Sequence, residues 1–135
     1  MPRWLALSLM VLASASTVSA HHSIAGYYDE SRQVTLDGVV AQFQFVNPHP
    51  FLFIDVKDGG RAGQWKLEMD NRGELVAVGM TAETFRVGDR VMVTGSPGRN
   101  QPQTLYIRRL DRAADGFRYE QIGFSPRITR PSTTR

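Results

Sequence analysis

Between Gln33 and Leu110 the apolar residues recur at every second position in short runs, with turn-forming residues between them. Alternation of this kind turns one face of an extended chain inward and the other outward, so it selects strands over helices. The first run spans Gln33 to Phe45. Val34 and Leu36 share a face there, the alternation slips at Asp37-Gly38, and it resumes as Val39, Ala41, Phe43 and Phe45. A one-residue slip at glycine predicts a bulge or sharp bend in a long strand. After the turn Asn47-Pro48-His49-Pro50 comes Phe51 to Lys57, apolar on both faces at first and therefore a central strand. Asp58-Gly59-Gly60 is a strong turn signal, and Gln64 to Asp70 alternates with Trp65, Leu67 and Met69 inward, Lys66 and Glu68 outward.

The middle of the chain changes period. Asn71 can cap a short helix, with Glu74 as its capping-box partner and Gly79 closing it. Leu75, Val76 and Val78 are expected to face the core, and Thr81 to Phe85 to add a further helical turn. Arg90 to Gly95 then reads as a strand with Val91 and Val93 buried, Ser96 to Gln103 as a polar loop, and Thr104 to Leu110 as a strand carrying Leu105 and Ile107. Beyond Asp111 the pattern weakens. Phe117, Tyr119 and Ile122 predict one extra strand, and Ser125 to Arg135 reads as a disordered, arginine-rich tail.

Three strands, a short helix and two strands is the order of the five-stranded Greek-key barrel known as the OB-fold. The expected class is therefore all-β with one short helix, a small OB-like barrel in the order β-β-β-α-β-β over residues 33–110. A small open β-roll would carry the same strand order. In such barrels the ligand face is formed by strands 2 and 3 with the loops joining strands 1–2 and 4–5. Those loops are Val46–Pro50 and Ser96–Gln103, which puts His49 on the rim. Phe51, Phe53 and Trp65 are the candidate aromatic residues of that face, although aromatic residues at strand spacing more often belong to a core.

The first twenty residues have the three parts of a secretory leader: Arg3, an apolar run from Leu5 to Ala15, and Val18-Ser19-Ala20 at a cleavage position. A membrane anchor needs about 20 apolar residues, and Ser8, Ser14, Ser16 and Thr17 interrupt this run. Cleavage after Ala20 is expected, leaving residues 21–32 as an arm laid against the barrel and 111–135 as an extension. The chain holds no cysteine, so neither a disulfide framework nor a lipidated cysteine is available. An exported, unanchored protein of the periplasm or medium is the expectation. The 16 basic and 13 acidic residues nearly balance. All the basic residues except Lys57 and Lys66 are arginine, and several gather at the end, which is weak support for an acidic partner.

Cleavage would give His21 a free α-amine beside His22, with His49 the only other histidine. An α-amine near pKa 7.7–8 and imidazoles near 6.5 release their protons to a metal at little cost at neutral pH. His21 can chelate through its amine and Nδ1, a second imidazole from His22 or His49 would complete three nitrogens, and tetragonal nitrogen ligation favours Cu(II). The arrangement resembles the histidine brace of exported copper proteins and lytic polysaccharide monooxygenases. Glu68, Asp70 and Asn47 are the candidate supporting residues. Taken alone, His49 also fits plain turn chemistry, and the competing reading of the pair is a frayed terminus that meets nothing.

The whole series also resembles an exported bacterial family catalogued only as a domain of unknown function. It runs from a leader ending in Ala through His-His-Ser to Val-x-Leu-x-Gly-x-Val (Val34–Val40), Asn-Pro-His (Asn47–His49), Trp-x-Leu-Glu (Trp65–Glu68) and Gly-Asp-x-Val-x-Val-x-Gly (Gly88–Gly95). The resemblance implies a shared fold and export, and marks His21, His22, His49, Trp65 and Glu68 as signature positions. It implies no chemistry.

Other constellations are weak. Gly95-Ser-Pro-Gly98 lacks the lysine and spacing of a phosphate loop. Ser23 beside His22 is not a triad, which is defined by geometry rather than adjacency. No nucleic-acid partner is expected, and an oxidative copper enzyme finds no substrate groove in the sequence. Two functional expectations follow: a non-enzymatic exported protein binding copper through its processed end, or a non-metal module binding an envelope protein, a glycan or a small ligand.

Overall fold

The computed structural model describes residues 24–131. Five strands close a barrel: β1 (Val34–Gln44), β2 (Phe51–Val56), β3 (Gly63–Glu68), β4 (Arg90–Pro97) and β5 (Thr104–Arg112), with helix α1 (Arg72–Ala77) between β3 and β4. β1 pairs antiparallel with both β2 and β4, β3 follows β2, and β5 follows β4. A parallel pairing of Lys66–Glu68 with Thr104–Tyr106 shuts the cylinder. This is the OB arrangement, and closure excludes the open roll because no strand of the five keeps a free edge. The interior is filled by the alternate residues of every strand, among them Leu36, Val40, Leu52, Ile54, Leu67, Val93, Leu105 and Ile107.

The first strand bends three residues later than the glycine suggests. Gly38 stays in phase, facing inward opposite Val56, and the register with β2 slips between Val40 and Gln42. Ala41 is thus the extra residue of the bulge, and Val39 is turned out. Gly38 serves close packing instead. A Cβ there would lie 2.9 Å from both the Asp55 carbonyl oxygen and Ile54 Cδ1, so glycine lets β1 press on β2.

The Asn71 side-chain oxygen caps α1 by accepting a hydrogen bond from the Gly73 N–H (2.8 Å), while the Asn71 backbone N–H donates to Asp70 Oδ1 (2.7 Å). Gly79, at φ +93°, ends the helix, and Met80 N–H returns to the Leu75 carbonyl at 2.9 Å. Leu75 is fully buried, but Val76 and Val78 are exposed, contrary to expectation. With six residues the helix can turn only a narrow stripe inward, and Met80 and Phe85 fill the rest of that barrel end. Thr81 to Phe85 is a non-helical turn in which Thr84 Oγ1 accepts from the Thr81 N–H (2.9 Å).

Past the barrel, β6 (Phe117–Ile122) extends the sheet from β5. Phe117 and Tyr119 are buried, and Phe117 meets Phe85 edge-on with centroids 5.5 Å apart. Ser125–Thr129 is a seventh strand, β7, paired along β6 from Arg118↔Thr129 to Ile122↔Ser125. This corrects the expectation of a disordered tail from Ser125. The segment has little apolar alternation, but β6 offers an open hydrogen-bonding edge and Ile128 packs on the core.

Candidate functional site

The β1–β2 loop is clamped to the far end of β3. Asn47–Pro48 is a cis peptide. The Pro48 carbonyl accepts from Arg72 N–H (2.9 Å) and the Pro50 carbonyl from Met69 N–H (3.0 Å), so the loop cannot swing from the start of α1. Arg72 adds a bond to the Phe45 carbonyl (3.3 Å) with its guanidinium 4.7 Å above the Phe45 ring. Held this way, His49 is half-buried, with Nδ1 2.8 Å from the Met69 carbonyl oxygen and 3.3 Å from Glu68 Oε1. A carbonyl oxygen has no hydrogen to give, so Nδ1 carries the proton. In the neutral ring Nε2 is then the bare nitrogen.

Glu68 has a second partner. Its Oε2 accepts the Tyr28 hydroxyl at 2.6 Å. Tyr28 is 8% exposed, and burial, then the Glu68 hydrogen bond, push its phenol well above the ordinary value, which keeps it a donor. The segment that carries it starts as a helical turn over 24–27 and is strapped to the β4–β5 loop. Tyr28 bridges Gly98, Asp29 N–H donates to the Pro97 carbonyl (2.8 Å), and Arg99 N–H to the Tyr27 carbonyl (2.8 Å). Arg99 Nε also reaches the Ala25 carbonyl (2.9 Å), and Arg108 pairs with Glu30.

His49 borders two clefts. The larger, about 440 Å³, opens between the strapped segment and β2–β3, with Tyr27, Phe51, Lys66 and Glu68 on its walls and Asn100 and Gln101 of the β4–β5 loop at its rim. The smaller, about 180 Å³, lies on the α1 side among Asp70, Glu74, Arg108, Gln121 and Phe124. Ile24 borders both. Asp70 is buried there and accepts from Asn71 N–H and from Gln121 Nε2 (2.6 Å), whose Oε1 takes the Tyr119 hydroxyl at 2.8 Å.

The candidate residues therefore separate. His21 and His22 lie outside the described residues. His49 and Glu68 meet on the larger cleft, and Phe51 joins them with the Lys66 ammonium 4.1 Å from its ring centroid. Asp70 reaches the smaller cleft with both oxygens committed to donors. Asn47 is exposed and lines neither cleft, and neither does Phe53, which is half-buried on the outside of the barrel. Trp65 is a correction to the aromatic face: it is 8% exposed inside the barrel, its Nε1–H spent on the Arg61 carbonyl at 2.8 Å. Its strand parity, shared with Leu67, already placed it inward. Among the described residues no group of three or more His, Cys, Asp or Glu is arranged to hold a metal ion, and no helix among them is long and apolar enough to cross a membrane.

Sequence reasoning missed the Tyr28–Glu68 bond and the part played by Lys66. The outward parity of Lys66 and Glu68 on β3, shared with Phe51 and Phe53 on the paired strand, was the available signal.

Among solved structures the chain is similar to TiaS in complex with a transfer RNA and ATP, with 23% identity, a TM-score of 0.46, and 62% of this chain and 18% of that one covered. It is similar also to a ZRD-deleted mutant of TiaS in complex with agmatine (23%, 0.47, 79% and 28%) and to apo TiaS, a transfer-RNA agmatidine synthetase (21%, 0.44, 72% and 25%). The chain thus spans less than a third of the length of these proteins. No curated protein matches it. Residues 9–105 match the Family of unknown function (DUF6152), and the chain belongs to that family.

Proposed function

We propose that this is a small exported binding protein of the periplasm or medium that holds a transition metal, copper, at the His49 rim without turnover. The observation that carries the reading is the 2.8 Å contact between His49 Nδ1 and the Met69 carbonyl oxygen, which takes up the Nδ1 side and leaves Nε2 for a ligand. Metal-bound histidines are commonly oriented in this way, through a carbonyl or carboxylate on the other ring nitrogen. The described residues contribute one such nitrogen and a neighbouring carboxylate, which is an incomplete set. His21, with its amine after cleavage at Ala20, and His22 would supply the rest. Ile24 borders both clefts that His49 borders, and three residues of chain span at most about 10 Å, so the reading requires the pair to fold back over that rim.

Calorimetry on a chain beginning at His21 tests this. One Cu(II) is expected to bind per chain, and His49→Ala or one extra residue ahead of His21 should weaken binding by about tenfold or more. Equal affinity in all three forms would end the reading. A second reading rests on the larger cleft, where Tyr27 is 69% exposed beside Phe51. Such a wall suits a non-metal partner, whether a small ligand, a glycan or an envelope protein. That binding would survive a chelator and be lost on Phe51→Ala.

A further inference from the structure

We propose that Glu68 and Tyr28 are positioning residues for His49, together holding its Nδ1 proton in place so that bare Nε2 is presented at the cleft, and that they do so only while the Tyr28 segment is strapped down. The consequence for metal affinity rests on the reading above, whereas the placement of the proton does not.

On the imidazole, Nδ1–H donates to the Met69 carbonyl at 2.8 Å, and Glu68 Oε1 lies 3.3 Å from the same nitrogen, so its charge sits on the same side of the ring. The backbone carbonyl fixes the direction of the N–H, and the carboxylate adds charge to that side. A carboxylate on a half-buried side chain needs its own restraint, or it rotates to solvent. Tyr28 supplies it by donating to the other oxygen, Oε2. The two oxygens of one carboxylate are thus divided between a donor from a segment forty residues away and the imidazole.

Tyr28 cannot shift alone. Its ring lies 5.7 Å from that of Tyr106, and the backbone on both sides is bonded to the β4–β5 loop through Tyr27, Asp29 and Arg99. Lys66, the cation nearest along β3, sits over Phe51, and no ion pair among the described residues joins it to Glu68. The strap, the carboxylate and the ring nitrogen therefore form one mechanical series.

The test uses the chain beginning at His21, free of metal, with its histidine nitrogens read by ¹⁵N NMR. In the wild type His49 should show protonated Nδ1 and bare Nε2. Glu68→Gln offers an amide N–H where only an acceptor stood, so it should bring up the Nε2–H form. Tyr28→Phe keeps the ring packing but frees Oε2, and should do the same to a smaller extent. Cu(II) affinity should fall by about tenfold in Glu68→Gln, and the double variant should be no worse, since the two residues act in series. A wild-type His49 with its proton on Nε2, or no change of tautomer in either variant, overturns the proposal. If His49→Ala binds copper as the wild type does, the metal reading fails, and the tautomer alone decides the positioning role.

Discussion

At Gly95 a Cβ would fall 2.1 Å from the Tyr106 carbonyl oxygen, a backbone atom that cannot step aside. The β4–β5 register shifts at this point, between Thr94 and Gly95, so the two strands touch where the barrel turns its corner. Gly95→Ala is expected to cost about 1–3 kcal/mol by forcing the strands apart. Gly26 meets nothing within 4 Å of the same added atom, and Gly26→Ala should stay within about half a kcal/mol of the wild type. Urea midpoints of the two variants measure this, and equal midpoints would show that the corner yields. His49 makes the complementary point about the site. Its placement on the rim could be read from Asn47-Pro48-His49-Pro50 because the turn is local. Its bond to the Met69 carbonyl and its neighbour Glu68 could not, because they depend on where β3 ends in space.

At the scale of elements, strands announce themselves where one face is buried and the other wet. Trp65-Lys66-Leu67-Glu68 does so cleanly, and β3 was legible for that reason. β7 was hidden because Ser125-Pro126-Arg127-Ile128-Thr129 buries almost nothing of its own. It is a strand because β6 gives it an edge, as Arg127 pairing with Glu120 across the ladder illustrates. β6 is the more consequential addition. Phe117 stacks edge-on against Phe85, which in turn meets Phe43 on β1 at 5.0 Å, so the extension completes one end of the barrel core. The guanidinium of Arg112 lies 5.0 Å from the Phe117 ring and pairs with Asp89 at 2.7 Å, tying β5 to the turn before β4. Phe117→Ala should cost about 3–5 kcal/mol, the usual range for emptying a buried aromatic site. A loss below about 1 kcal/mol on denaturant unfolding would show that the barrel stands without its extension.

Across the whole molecule the titrating groups divide by sign. Asp37, Asp115 and Glu120 lie below the ordinary carboxylate range because Arg90, Arg112 and Arg127 donate hydrogen bonds to them. Stability from a lowered carboxyl is present above its ordinary value and is lost as pH falls through the lowered one. Asp37 and Asp115 are exposed and Glu120 is half-buried with an exposed arginine partner, so salt should screen most of that contribution. The tyrosines act from the other end. Tyr28, Tyr106 and Tyr119 are buried, and loss of water contact is the first reason their phenols stand above the ordinary 10.0. The folded chain then keeps protons that the unfolded chain gives up, so their stabilisation is complete below about pH 10 and drains away above it. Each phenol that ionises only on unfolding adds a slope of about 1.4 kcal/mol per pH unit. Stability should therefore hold level through neutral pH, sag gently and salt-sensitively in acid, and fall steeply in alkali. Tyrosinate absorbance and near-ultraviolet circular dichroism, followed together, check the alkaline arm. Three of the four phenols should ionise as the folded signal disappears, and Tyr28→Phe should reduce that number to two. If the phenols titrate while the dichroism persists, water reaches Tyr28 and Tyr106 in the folded state. The strap that ties Tyr28 to Glu68 would then be open rather than closed.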